Sequence, residues 1–167
     1  MNLKIIIRYS LLISLLMLLW LSLEYMVGLH DTYAAYHPYV TLFAFIIPAY
    51  GIHKAIKDIQ EDEPQDIPLR RAFMIGFVVT FFSALLSIPV QLIFHQLINP
   101  DFFQNMINFA VNRASELNQD PEKAKMQAEM YFNLPSYLLQ SVIGAFISGS
   151  IISGILAWLK SRKRRND

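Results

Sequence analysis

LRRAFMIGFVVTFFSALLSIPVQLIFHQLI, residues 69–98, decides the fold of this chain. After Arg70 and Arg71 at its start it carries no Lys, Arg, Asp or Glu. A bilayer core about 30 Å thick needs roughly 20 apolar residues per spanning helix, and this run supplies enough. Working outward, three more runs of the same kind lie at about 5–27, 38–56 and 136–159. Four spans and their connections use nearly all 167 residues. We therefore expect an all-α integral membrane protein, a single membrane domain over residues 1–167 with four transmembrane helices.

The placement of basic residues orients it. Lys4, Arg8, Lys54, Lys57, Arg70, Arg71, Lys160, Arg162, Lys163, Arg164 and Arg165 sit at the N-terminus, in the middle loop or at the C-terminus. Arg113, Lys123 and Lys125 share one longer connection. Cytoplasmic loops carry the excess of Lys and Arg, so both termini and the middle loop are expected inside. The basic tail 160–167 is then expected in the cytoplasm. The first apolar run resembles a signal peptide, but it is long and Ser22-Leu23-Glu24 is a poor cleavage site. It reads as an uncleaved first helix.

Hydrophobic residues make up 54% of the chain and charged ones only 16%, against roughly 25% charge in ordinary soluble domains. A net charge of +1 gives no support to nucleic-acid binding. With no cysteine there is no disulfide framework, thiolate metal site or cysteine nucleophile.

Gly28 is expected to end the first helix. Pro38 suits the start of the second, and Pro48 should kink it. The segment 57–68 is acidic and holds Pro64 and Pro68, so it reads as a loop. The longest connection, 99–135, contains two helix-start signatures, Asn99-Pro100-Asp101 and Asp120-Pro121-Glu122. Short amphipathic helices are expected after each, in the outer loop between the third and fourth spans. They would cap the bundle or lie in the lipid interface, with a substrate lid as the alternative.

Small residues recur at every fourth position in two spans: Ala72, Gly76, Thr80 and Ala84 in the third, and Ser141, Ala145, Gly149, Ser153 and Ala157 in the fourth. Such rows let helix backbones approach closely. They serve either the bundle or a second copy, and the bundle is favoured. A polar line, Ser83, Ser87, Gln91, His95 and Asn99, descends the third span; Ser136, Gln140, Gly144 and Ser148 match it on the fourth. Polar groups facing hydrocarbon are costly, so these lines should face protein or water. They act as interhelical glue or line an outward-facing polar cavity built from Glu24, Ser83, Ser87, Gln91, His95 and Gln140.

Glu24 is the single acid within an expected span. Intramembrane carboxyls are typical of proton-coupled carriers; it could equally snorkel to the interface or pair with His95. Glu24, His30, Asp31, His37 and His95 all belong on the outer side, and imidazoles and carboxylates are suitable zinc ligands. Their spacing matches no metal motif, so no metal, cofactor or catalytic residue is assigned.

Three segments carry a family resemblance: Ala49-Tyr50-Gly51-Ile52-His53-Lys54-Ala55-Ile56, Arg71-Ala72-Phe73-Met74-Ile75-Gly76 and Ile98-Asn99-Pro100-Asp101-Phe102, with the small-residue-rich final span after them. In these the chain resembles domain-of-unknown-function family 4199, small bacterial inner-membrane proteins. The resemblance implies a four-helix membrane protein and supplies no activity. The expected role is a structural or accessory envelope component, not an enzyme, with the lipid bilayer and a second copy or another membrane protein as partners. The alternative is a small transporter or lipid-handling protein that uses the polar cavity.

Overall fold

The computed structural model describes residues 2–166, with side chains for residues 2–161. The side chains of Arg162, Lys163, Arg164 and Arg165 in the expected basic tail lie outside the described residues. Six helical segments follow one another: α1 (Leu3–Met26), α2 (Ala34–Glu61), α3 (Leu69–Ile98), α4 (Phe102–Glu116), α5 (Pro121–Tyr131) and α6 (Leu134–Asn166). Among the described residues there is no strand. α1, α2, α3 and the Leu134–Ser161 part of α6 are long and apolar enough to cross a membrane. Their outward faces stay apolar, with Leu11, Leu15 and Leu19 on α1 and Ile143, Ile147, Ile151 and Ile155 on α6 exposed. A helix apolar all round fits hydrocarbon better than water.

α2 is longer than the expected 38–56, and residues 57–61, read as loop, are helical. The i,i+4 pairs Lys54–Asp58 and Lys57–Glu61, each at 3.5 Å, support those turns. Pro48 does not interrupt a regular helix. It lies in the first turn of the α-helical stretch Ile46–Glu61, where an N–H would have no intrahelical partner. The tight 3-10 stretch Thr41–Phe45 precedes it.

α3 is the centre of the bundle and packs against α1, α2 and α6. The two small-residue rows meet each other. Gly149 lies against Thr80, and Thr80 Oγ1 is 3.5 Å from Ser153 Oγ. Ala72, Thr80, Ala84, Ser153 and Ala157 are buried. Gly76 sits where α2, α3 and α6 come together, with Ser153 and Ile52 over it. Around this junction, Ile6, Tyr9, Ile13, Ile52, Ile59, Ile75 and Val79 belong to one core cluster. Ser10 Oγ adds a cross-helix bond to the Val79 carbonyl at 3.1 Å.

At the Asp58 end, the buried Tyr9 hydroxyl donates to Asp58 Oδ2 at 2.5 Å. Lys160 Nζ and the Ile67 N–H both donate to Gln60 Oε1, at 2.6 and 2.9 Å, and Arg71 pairs with Glu63. Two of these contacts tie the 62–68 connection to α2 and α3, and the other two tie α1 and α6 to α2. A hydrogen bond to a charged acceptor is worth about 1.5–3 kcal/mol. Tyr9→Phe should therefore lower stability by about 1.5 kcal/mol without altering the helix content, as read by denaturant titration in detergent.

Candidate functional site

Two features stand out on the side of the bundle away from Asp58. The first is a cavity of about 330 Å3 bounded by α1, α2, α3 and α6. It forms beside the Thr41–Phe45 stretch, where Thr41, Leu42, Ala44, Phe45 and Pro48 line it. Gly144 of α6 has open space where a side chain would project. No lining residue is charged. Most hydroxyls in the wall are bonded to their own helix: Ser14 to the Ser10 carbonyl, Ser141 to Leu138 and Ser148 to Gly144. Ser87 bonds the Ala84 carbonyl and reaches Ser141 Oγ at 3.2 Å. Ser83 Oγ and Gln91 Oε1 are buried without a hydrogen-bond partner. The cavity is thus an apolar chamber, and two unsatisfied polar atoms lie buried within its wall on one helix.

Of the six residues expected to form a polar cavity, Ser83, Ser87, Gln91 and Gln140 line it, whereas Glu24 and His95 do not. Helical geometry explains His95. At about 100° per residue, each four-residue step drifts about 40°, so the line from Ser83 to His95 winds about 120° around the helix. His95 is also the second residue of the π-helical turn Phe94–Ile98. It is buried among rings, with centroids 4.5 Å from Phe103, 4.7 Å from Phe102 and 5.5 Å from Tyr137. Neither of its ring nitrogens has a hydrogen-bond partner.

The second feature surrounds Glu24, which pairs not with His95 but with its own chain a few residues on. Gly28 takes φ +78°, the Gly28 N–H bonds the Tyr25 carbonyl and the Leu29 N–H bonds the Glu24 carbonyl, both at 2.9 Å. This is a Schellman cap; it reverses the chain and lays His30 over the last turn of α1. The 3-10 turn Ala34–Tyr36 then delivers His37 to the same place. Glu24 Oε2 lies 3.6 Å from His30 Nε2 and 3.7 Å from His37 Nε2. Trp20 Nε1 donates to the other carboxylate oxygen, Oε1, at 2.7 Å. Asp31 turns away to accept from the Thr32 N–H.

Asn99 completes this cluster, whereas the helix-start signature Asn99-Pro100-Asp101 places it at the head of the next helix. α4 begins at Phe102 after Asp101, and the buried Asn99 amide points inward, 3.3 Å from His30 Nδ1. The π-turn causes this, since its closing bond from the Asn99 N–H to the Phe94 carbonyl, at 2.7 Å, swings residue 99 toward α1. Asp120, by contrast, caps α5 as its sequence suggests, accepting from the Glu122 and Lys123 N–H groups at 3.0 and 3.3 Å. The signal that could have revealed the cluster was Gly28: a left-handed cap there folds His30 back onto Glu24.

No curated protein and no solved structure matches this chain. A family model described as Protein of unknown function (DUF4199) matches residues 8–162. The match takes in α1 from residue 8 onward, the other three span-length helices whole and the segments that carried the resemblance, and the chain belongs to this family.

Proposed function

We propose that this protein is a small lipid-handling protein of a bacterial inner membrane, with both termini cytoplasmic, that holds an uncharged amphiphile in the cavity between its helices. The observation that carries this reading is the pairing of an apolar, charge-free wall with the unsatisfied Ser83 Oγ and Gln91 Oε1. Ligand pockets combine mostly apolar linings with a few placed polar groups. Rotation of the Gln91 side chain toward the cavity would offer its buried acceptor to a ligand hydroxyl, and a wall without charge disfavours ions and carboxylates. A long-chain alcohol or an acylglycerol has this chemistry. The reading is of binding rather than turnover. An accessory role through a partner helix draws less support, because the small-residue rows that would receive that helix face each other within the chain.

The test is photo-crosslinking of the purified protein in lipid nanodiscs with a diazirine-bearing long-chain alcohol. Crosslinks should map to residues 83–91 and 140–149. Gly144→Phe, which extends a ring into open space, should remove them at least tenfold while leaving the thermal midpoint unchanged. Gln91→Leu should weaken capture several-fold. Even labelling of the outward Ile147 and Ile151 face, unaltered by Gly144→Phe, would overturn the reading.

A further inference from the structure

We propose that Glu24, His30 and His37 form a binding site for a divalent transition-metal ion of the zinc class, at the end of the bundle away from Asp58. Their ligand atoms lie within 4.8 Å of one another. They come from three separate pieces of chain, the last turn of α1, the loop after Gly28 and the start of α2. Glu24 is 2% exposed and His30 fully buried. Despite their convergence, Glu24 Oε2 and His30 Nε2 have no hydrogen-bond partner. At 3.6 and 3.7 Å the carboxylate and imidazoles face each other without a hydrogen bond, which is costly for buried groups, and a cation bound between them satisfies all three ligand atoms at once.

The distances suit this chemistry. Ligands 2.0–2.1 Å from a tetrahedral ion stand about 3.3–3.4 Å apart. The 3.6 and 3.7 Å separations from Glu24 to the two imidazoles need close only by a few tenths of an ångström, and the two imidazoles, which lie within 4.8 Å of each other, close the rest by rotation of the partly exposed His37. The neighbours are also those of a metal site. Trp20 holds one carboxylate oxygen and leaves the other to face the imidazoles. Asn99 sits on the far nitrogen of His30. With the Asn99 amide turned to present its oxygen, Nδ1–H donates to it and Nε2 offers its lone pair, the outer-shell arrangement that orients ligating histidines. Two nitrogens and one carboxylate oxygen suit zinc or its first-row neighbours. His37, with 21% of its side chain exposed, leaves one side for a water or an exogenous fourth ligand.

The experiment uses the untagged full chain in detergent, stripped with chelator, equilibrated with Zn2+ and desalted before metal analysis. One zinc per chain should be retained and the thermal midpoint should rise. Substitution of Co2+ should give the intense visible bands of a four-coordinate ion. Glu24→Gln keeps the shape and the Trp20 bond, while His37→Gln changes a partly exposed group and should fold normally; each should weaken zinc binding by more than tenfold. Asn99→Ala should weaken it about 10–100-fold, as outer-shell changes do. Absence of retained zinc with no change in the midpoint, or equal retention by wild type and His37→Gln, would overturn the site.

Discussion

Gly76→Leu is expected to abolish stable folding of the bundle. A Cβ at this position would meet Ser153 Oγ at 2.6 Å, Ser153 Cβ at 2.8 Å and Ile52 Cγ2 at 2.9 Å. These atoms belong to α6 and α2, so a branched side chain on α3 must push two helices away at once. Overpacking typically costs about 1–3 kcal/mol, and a leucine at a three-helix junction should lie at or above the top of that range. Gly76→Ala makes the argument quantitative. It should cost about 1–3 kcal/mol, and Ser153→Gly should recover part of that loss because it removes the two nearest atoms. Residues in contact give non-additive double-mutant cycles. Measured by equilibrium unfolding in mixed micelles, a strictly additive pair would refute the proposed packing of α3 on α6.

Gly28→Val is expected to show the second large effect. The residue holds φ +78°, where a side chain costs roughly 1–2 kcal/mol, and a β-branched one belongs at the upper end. Its Cβ would also stand 3.1 Å from Asp31 Oδ1 and 3.4 Å from Tyr33 Cδ2. The predicted loss is about 2 kcal/mol in total. Gly28→Asn should recover most of it, since Asn tolerates the left-handed region. The same substitution to Val should disturb the Trp20–Glu24 contact, visible as a change in tryptophan fluorescence. If Gly28→Val and Gly28→Asn unfold at the same midpoint, the cap is not what holds the turn.

Both glycines were legible in the sequence, for different reasons. Gly28 ended an apolar run, and Gly76 stood in a four-residue row of small side chains. The partners of those rows were not legible. Hydropathy says that a helix needs cover but does not say from which neighbour. Ser83, Ser87, Gln91 and Gln140 were read together and do line one cavity. Thr41, which closes the same chamber from α2, was not grouped with them. Its contribution depends on the 3-10 stretch before Pro48, a local change of pitch that no window of apolarity records.

The sequence by itself determined the four span-length helices, the caps at Gly28 and Asp120 and the faces that pack closely, because each follows from a short stretch of chain and its local periodicity. Only the tertiary structure decided that Glu24 meets His30 and His37 while His95 sits among aromatic rings, and that Asn99 points inward instead of capping α4. Those outcomes depend on the rotation of each helix about its axis, reset at the Schellman cap and again at the π-turn. A shift of one residue in helical pitch moves a side chain about 100°, enough to exchange one neighbour for another.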